Sequence, residues 1–246
     1  HHTAWKGEEL LRVNRLKTKQ GLDVTDVVLS RGEILGIYGL IGAGRTEFAR
    51  ALFGADKTEV YDVLLQGKPI HVRKTEDAVR YGLGYLTEDR KKDGLALGLS
   101  VENNVSMSSL KGLSSHGVMD EKRCRTNAEE YISKLKIRTP SVDQLAKYLS
   151  GGNQQKVIIA KWLTRKASIL VFDEPTRGID VGAKKEVYEL MNSLVESGVG
   201  IIVITSDLPE VIGISDRVMV MHDFRFTGEV SRSEVTQAKL LEMAVK

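Results

Sequence analysis

Two hydrophobic patterns take turns along the chain. Short runs are apolar throughout: ILGIYG (Ile34–Gly39), SILVF (Ser168–Phe172) and GIIVIT (Gly200–Thr205). Other stretches place apolar residues every three or four positions. In TEFARALFG, Phe48, Ala49, Leu52 and Phe53 share one helical face, and Gly54 is the stop. In GAKKEVYELMNSLVESG, Val187, Leu190, Leu194 and Val195 form one stripe. Strands buried on both faces, separated by amphipathic helices, predict an α/β fold with a parallel sheet covered by helices.

The flanks and the middle read differently. LLRVNRLK and LDVTDVVLS mix or alternate polar and apolar residues and predict antiparallel strands near the start. DRVMVMHD and RFTGEVS predict a closing hairpin near the end, with His222 at a strand terminus. From Asp89 to Tyr148 strand-like runs are lacking, small and polar residues dominate, and a helix is predicted over Asp120–Lys136. The division that follows is a core of residues 10–88 and 149–246 with a helical insertion at 89–148. Residues 1–9 read as a linker; His1 and His2, with no initiator Met, read as a purification-tag remnant on a piece of something longer.

Composition narrows the class. Of 246 residues, 41% are hydrophobic, 28% charged and 6% aromatic, the profile of a soluble protein with room for one large core and a smaller subdomain. No apolar run approaches the roughly 18 residues of a membrane-spanning helix, so work at a membrane would require docking through partners. The net charge of +3 is spread over both signs with no dense basic block, which argues against nucleic acid as a partner. Cys124, the single cysteine, excludes an internal disulfide and a cysteine-built zinc site. It falls at helical spacing with Ala128, Tyr131, Ile132 and Leu135, as a packed core thiol would. Trp5, Trp162 and the five histidines suggest no function.

Candidate chemistry begins at GLIGAGRTE, Gly39 to Glu47, one residue away from the phosphate loop G-x-x-x-x-G-K-[ST]. A strand, glycine loop and helix in succession point backbone N–H groups and the positive end of a helix into one hollow. Gly39, Gly42 and Gly44 allow close backbone approach, and Thr46 offers a hydroxyl to Mg²⁺. Arg45 stands where lysine belongs; its planar, forked guanidinium does not fit the place of a thin ammonium stem, and its alternative role is a surface ion pair. In SILVFDEPTRGID, the apolar run Ile169–Phe172 delivers Asp173 to the carboxyl edge of the sheet, suited to hold Mg²⁺ through water. Glu174 follows, placed to polarise an attacking water. In LSGGNQQKV, Ser150, Gly151 and Gly152 open a helix and form a second anion-binding surface, which makes sense if it reaches the γ-phosphate of another subunit's nucleotide.

Together these residues resemble the nucleotide-binding domain of ATP-binding-cassette (ABC) transporters, from about Leu10 to the C-terminus. GLIGAGRT matches Walker A, LSGGNQQ the signature, ILVFDE Walker B, RGID the D-loop and ITSD the switch. The spellings GLIGAGRTE, LTEDRKKDGL, LSGGNQQKV and DEPTRGIDVGAK look like the second cassette of the tandem ATPases of bacterial importers of ribose and other simple sugars. Importers of nucleosides or of autoinducer-like sugars use similar cassettes, and a soluble ABC protein outside transport is a further alternative. The resemblance implies a P-loop NTPase with a RecA-like core, an antiparallel β-subdomain and a helical subdomain. It implies ATP and Mg²⁺ as cofactors, held by Gly39, Leu40, Ile41, Gly42, Ala43, Gly44, Arg45, Thr46 and Glu47 of the loop. Thr46, Asp173 and Glu88 would serve the metal, and Glu174, Ser206 and Glu88 catalysis. Ser150, Gly151, Gly152, Gln154 and Asp180 would serve a nucleotide shared between two cassettes packed head to tail. The partners implied are a first cassette, membrane permease subunits at the cytoplasmic face of the cell membrane and, indirectly, a solute-binding protein. Residues near Glu88–Asp93 are the candidates for the permease contact.

Four positions depart from the family pattern. Arg45 replaces the Walker A lysine, Glu88 the Q-loop glutamine and Ser206 the switch histidine, and no aromatic occurs around Lys17–Gly21, where the base-stacking residue is expected. Losing one preorganised group that stabilises transition-state charge commonly costs about 10²–10³ in rate. The expectation is a weakly active site that binds nucleotide and lends its intact signature to its partner.

Overall fold

The antiparallel pairing predicted for the start is present: β1 (Glu9–Thr18) and β2 (Asp23–Ser30) run side by side with Arg15 opposite Thr25. This computed structural model describes residues 7–110, 112–115 and 118–245; His1, His2 and Trp5 lie outside the described residues. The next strand, β3 (Ile34–Gly39), is buried along its whole length and leads into the glycine loop and α1 (Arg45–Leu52). Phe48, Ala49 and Leu52 are buried, and Gly54 follows at φ 75°, so the predicted helical face and stop are both observed. β4 (Thr58–Leu65) and β5 (Lys68–Ile70) complete a four-stranded sheet in the order β2-β1-β4-β5. The sequence reading missed β4 because only Val63 in it is fully buried, so its hydrophobic period is faint. α2 (Thr75–Arg80) and β6 (Leu83–Leu86) close this stretch.

The chain then enters a second compact unit, made of residues 86–167 and 176–190; the first unit holds 1–85, 168–175 and 191–246. The second unit thus runs past Tyr148 and takes in the helix opened by Ser150. It contains a π-helical turn at Arg90–Gly94, α3 (Val101–Ser106), α4 (Glu121–Lys134) and α5 (Gly151–Thr164). Between α3 and α4 a two-residue ladder, β7 (Ser114–Ser115) with β8 (Val118–Met119), corrects the expectation that this region lacks strands. A ladder this short has no hydrophobic period to read. Cys124 is buried on α4 together with Ala128, as a core thiol.

The remaining strands return to the first unit. β9 (Ile169–Asp173) precedes α6 (Val181–Glu196), β10 (Gly200–Thr205), α7 (Leu208–Ile214), the hairpin β11 (Arg217–His222) and β12 (Arg225–Ser231), and α8 (Gln237–Ala244). They form a six-stranded sheet in the order β12-β11-β3-β10-β9-β6. β3 pairs parallel with β10 and β11, β10 pairs parallel with β9, and β12 is the antiparallel edge. β3, β9 and β10 are buried at every position, which is why their sequences are solid rather than alternating.

One buried charge in the second unit has a measurable consequence. Lys161 is 8% exposed and donates from Nζ to the Gly94 carbonyl at 2.7 Å, at the end of the π-helical turn. Burial pulls its pKa down to about 8. An ammonium that is harder to protonate in the folded state than in the unfolded one, near 10.4, weakens the fold below pH 8, and that cost is relieved as pH rises from 8 towards about 10. Lys161→Met removes the titration. The stability difference between wild type and variant, measured by denaturant unfolding, is expected to move in favour of wild type by on the order of 3 kcal/mol from pH 7 to about pH 10. A difference that stays flat would contradict it.

Candidate functional site

Parallel strands end their carboxyl edges together, so β3 and β9 deliver Gly39 and Asp173 to the same side of the sheet. The loop after β3 rises to Leu40, Ile41 and Gly42, all exposed, and folds back through Ala43, whose N–H donates to Leu40 O at 3.0 Å. Gly44 is the N-cap of α1 at φ 101°, and no side chain caps the helix. The amides of the first turn are therefore left to a ligand or to water. Thr46 and Glu47 are half-buried in that turn.

Thr46 meets Asp173. Its side chain hydrogen-bonds the carboxylate, and Tyr85 Oη donates to Asp173 Oδ2 at 2.8 Å. Asp173 is 1% exposed, and its Oδ1 is buried without a hydrogen-bond partner. Burial raises its pKa, against the opposing pull of Tyr85 and Thr46. A buried carboxylate oxygen with no donor is an expensive arrangement unless a cation completes it. The donor set suits Mg²⁺, which takes one or two protein oxygens and fills its remaining positions with water and phosphate oxygens. Among the described residues no group of three or more His, Cys, Asp or Glu side chains could hold a metal by itself.

Glu174 sits one residue further, at φ 48°, with its N–H donating to Ile204 O at 2.8 Å. A left-handed glutamate costs on the order of 1 kcal/mol and directs the side chain off the strand line. Its Oε1 accepts from Arg45 Nη1 at 3.2 Å and from the Ser206 backbone N–H at 2.9 Å, and Thr205 Oγ1 lies 3.4 Å from Oε2. Arg45 is 8% exposed. The sequence reading allowed Arg45 a surface ion pair; the structure gives it a buried one, with Glu174. The reason is reach: the long, forked guanidinium spans from the first turn of α1 to the end of β9. Ser206 is exposed, and its visible contribution is its amide rather than its hydroxyl. His222 stands at the end of β11.

The other predicted residues belong to the second unit. Ser150 is the exposed N-cap of α5, with its Oγ accepting from Asn153 Nδ2 at 2.9 Å. Gly152 is buried against Ala183; a Cβ there would lie 2.7 Å from the alanine methyl. Gln154 is 3% exposed and donates to Ala146 O at 3.1 Å, a bond that stitches the unit internally. Asp180 caps the start of α6 by accepting from Ala183 N at 3.0 Å. Glu88 is ion-paired with Arg177, and Arg90 donates to the carbonyls of Arg177 and Gly178, so the EDRKK stretch is anchored rather than merely solvated. Glu88, Asp89, Arg90, Lys91 and Arg177 line a cavity of about 370 Å³.

Sequence reasoning missed Tyr85, the donor to Asp173. The signal was available in Leu83–Leu86, a short apolar run with a hydroxyl inside it, but it is too brief to stand out. It also missed the partner of Arg45, which lies 129 positions away.

A family model described as ABC transporter matches residues 22–177. The ribose import ATP-binding protein RbsA of Clostridium perfringens is 49% identical over 98% of this chain and 48% of its own length. RbsA of Clostridium tetani is 47% identical over 98% of this chain, again 48% of its own. The chain spans about half the length of the curated relatives it matches. Among solved structures, a nucleotide-free ATP-binding cassette from an ABC transporter superposes with a TM-score of 0.81 at 19% identity, covering 97% of this chain and 99% of that one. The ADP conformation of another such cassette gives 0.76 at 21% identity, covering 96% and 98%. At those identities the likeness establishes the fold: a P-loop NTPase of the ABC ATPase type.

Proposed function

Because this chain belongs to the ABC transporter family, we propose that it is an ATP-binding domain of a bacterial importer of ribose or related simple sugars, coupling ATP binding and hydrolysis to transport. Its relatives are about twice its length, which fits one cassette of a tandem pair, and its variant motifs fit the second. The partners are then a first cassette and membrane permease subunits, with the chain held peripherally at the cytoplasmic face; no helix among the described residues is long and apolar enough to cross a membrane itself.

Within that role, the chain's own nucleotide site binds Mg-ATP and turns it over slowly. The observation that carries this is the pairing of Arg45 with Glu174. It takes the loop's cation away from the phosphate hollow and engages the carboxylate that would polarise water. Mg²⁺, when bound, supplies charge neutralisation to the phosphates, and Thr46 and Asp173 are the residues that would hold it. The glycine loop and the first-turn amides of α1 bind the phosphate chain, Glu174 orients water, and the Ser206 amide holds Glu174 in place. With Arg45 diverted and no histidine at position 206, two preorganised stabilisers are missing, each worth about 10²–10³ in rate when removed singly.

Mg-ATP binding by calorimetry and turnover by phosphate release, on this chain alone, test the reading. The expected result is measurable binding with turnover near background, equal in wild type and Glu174→Gln. Brisk turnover that Glu174→Gln abolishes would show an independent ATPase and end the asymmetric reading.

A further inference from the structure

The turn joining β11 to β12 is two residues long, Asp223 and Phe224, with φ of 43° and 61°. Two positive φ values in a two-residue hairpin loop are the type I′ pattern, for which Asp-Gly is the unstrained choice. Here the glycine position holds phenylalanine, whose Cβ and ring make the left-handed region costly. An outlier of this kind is kept where the side chain is needed.

Its surroundings indicate for what. The Phe224 N–H donates to Ala43 O at 2.8 Å, inside the phosphate loop, and its carbonyl accepts from Asp23 N at 3.2 Å, at the start of β2. The ring lies against the N-cap of α1: a Cβ placed on Gly44 would be 2.7 Å from Phe224 Cδ1. Phe224 therefore bridges the phosphate loop and the foot of the β1–β2 turn, the turn in which Lys17–Gly21 offers no aromatic residue. It is only half-buried. Phe226, by contrast, is committed to packing edge-on against Phe48 with ring centroids 5.5 Å apart. Asp23 and Arg225, the neighbours of Phe224 by hydrogen bond and by chain, line a cavity of about 370 Å³ together with Arg15, Val24, Thr25 and Phe226, room enough for a base and its ribose.

We propose that Phe224 is the platform on which the base of a bound purine nucleotide stacks, supplied by the C-terminal hairpin in place of the β1–β2 turn. This rests on the nucleotide-binding reading above. The ring edge lies beside the first turn of α1, at the rim of the phosphate loop, and is half-buried, and stacking needs only an open aromatic face. The competing role is simple cover, with the ring shielding Gly44.

Titrations with Mg-ATP and with magnesium tripolyphosphate separate the two. Phe224→Gly relieves the positive φ, so its melting temperature is expected to hold or rise, and lost binding cannot be ascribed to misfolding. It is expected to weaken Mg-ATP about tenfold to a hundredfold and leave tripolyphosphate unchanged, while Phe224→Trp retains Mg-ATP affinity. Equal weakening of both ligands would mean that the ring supports the loop, and unchanged Mg-ATP affinity would mean that it does nothing for the base; either overturns the proposal. Wild type that binds neither ligand would bring down the nucleotide reading and this proposal with it, whereas wild type that binds both leaves only the variants to decide.

Discussion

Ser150→Arg is expected to lower ATP turnover of the proposed cassette pair about 10²–10³-fold, with no loss of stability and no loss of Mg-ATP binding at the site proposed for the glycine loop, Thr46 and Asp173. Ser150 is exposed, and its side chain makes one bond, from Asn153 within the first turn of the same helix. An arginine there has room in the isolated chain and disturbs no core. What it obstructs is the exposed N-terminus of α5, whose first-turn amides would meet an incoming phosphate. If that surface completes a nucleotide held by the other cassette, the bulky side chain removes a preorganised contact from the transition state of a reaction that this chain does not itself perform. Steady-state turnover and a melting curve on the same preparation decide it. Turnover within a few-fold of wild type would mean that the signature surface contributes nothing in trans.

Gly44→Ala is expected to cost about 2–4 kcal/mol of stability and to weaken Mg-ATP about 30-fold or more. Two penalties coincide. At φ 101° any Cβ is strained, and here it would also lie 2.7 Å from Phe224 Cδ1 and 2.9 Å from Phe224 Cα. The Cα is backbone and cannot rotate away, so the loop must move, and binding nucleotide then requires driving it back. Gly42→Ala supplies the control. It has φ 83° but open space around the missing Cβ, so it carries the dihedral penalty alone, about 1–2 kcal/mol. Urea unfolding and calorimetric titration of both variants test the contrast; equal effects at the two positions would mean that the contact with Phe224 is unimportant.

The strands most legible in the sequence are those buried on both sides. β3, β9 and β10 are solid apolar runs because every position faces a covering layer. The antiparallel pairs β1–β2 and β11–β12 were legible from their mixed patterning. β4 and the ladder of β7 and β8 were not, since one has a single fully buried position and the other only two residues per strand. The places of the glycine loop and of the strand-end Asp173 were legible because spacing alone carries them: a glycine loop needs its glycines close together, and a strand-end carboxylate follows its strand.

The local layout, then, was determined by the sequence itself: a glycine loop between strand and helix, a strand-borne Asp-Glu pair and a Ser-Gly-Gly helix start, each encoded within a short run of consecutive residues. Only the tertiary structure decided what those groups do to one another. Arg45 finds Glu174, Tyr85 finds Asp173, and Phe224 lies over Gly44, across separations of 129, 88 and 180 positions. The physical reason is that periodicity and turn propensity act over a helical turn or a strand pair, whereas sheet order sets which distant strand ends become neighbours. Strand β3 lies between β10 and β11, and that order carries the hairpin turn to the loop. No local pattern in the chain records it.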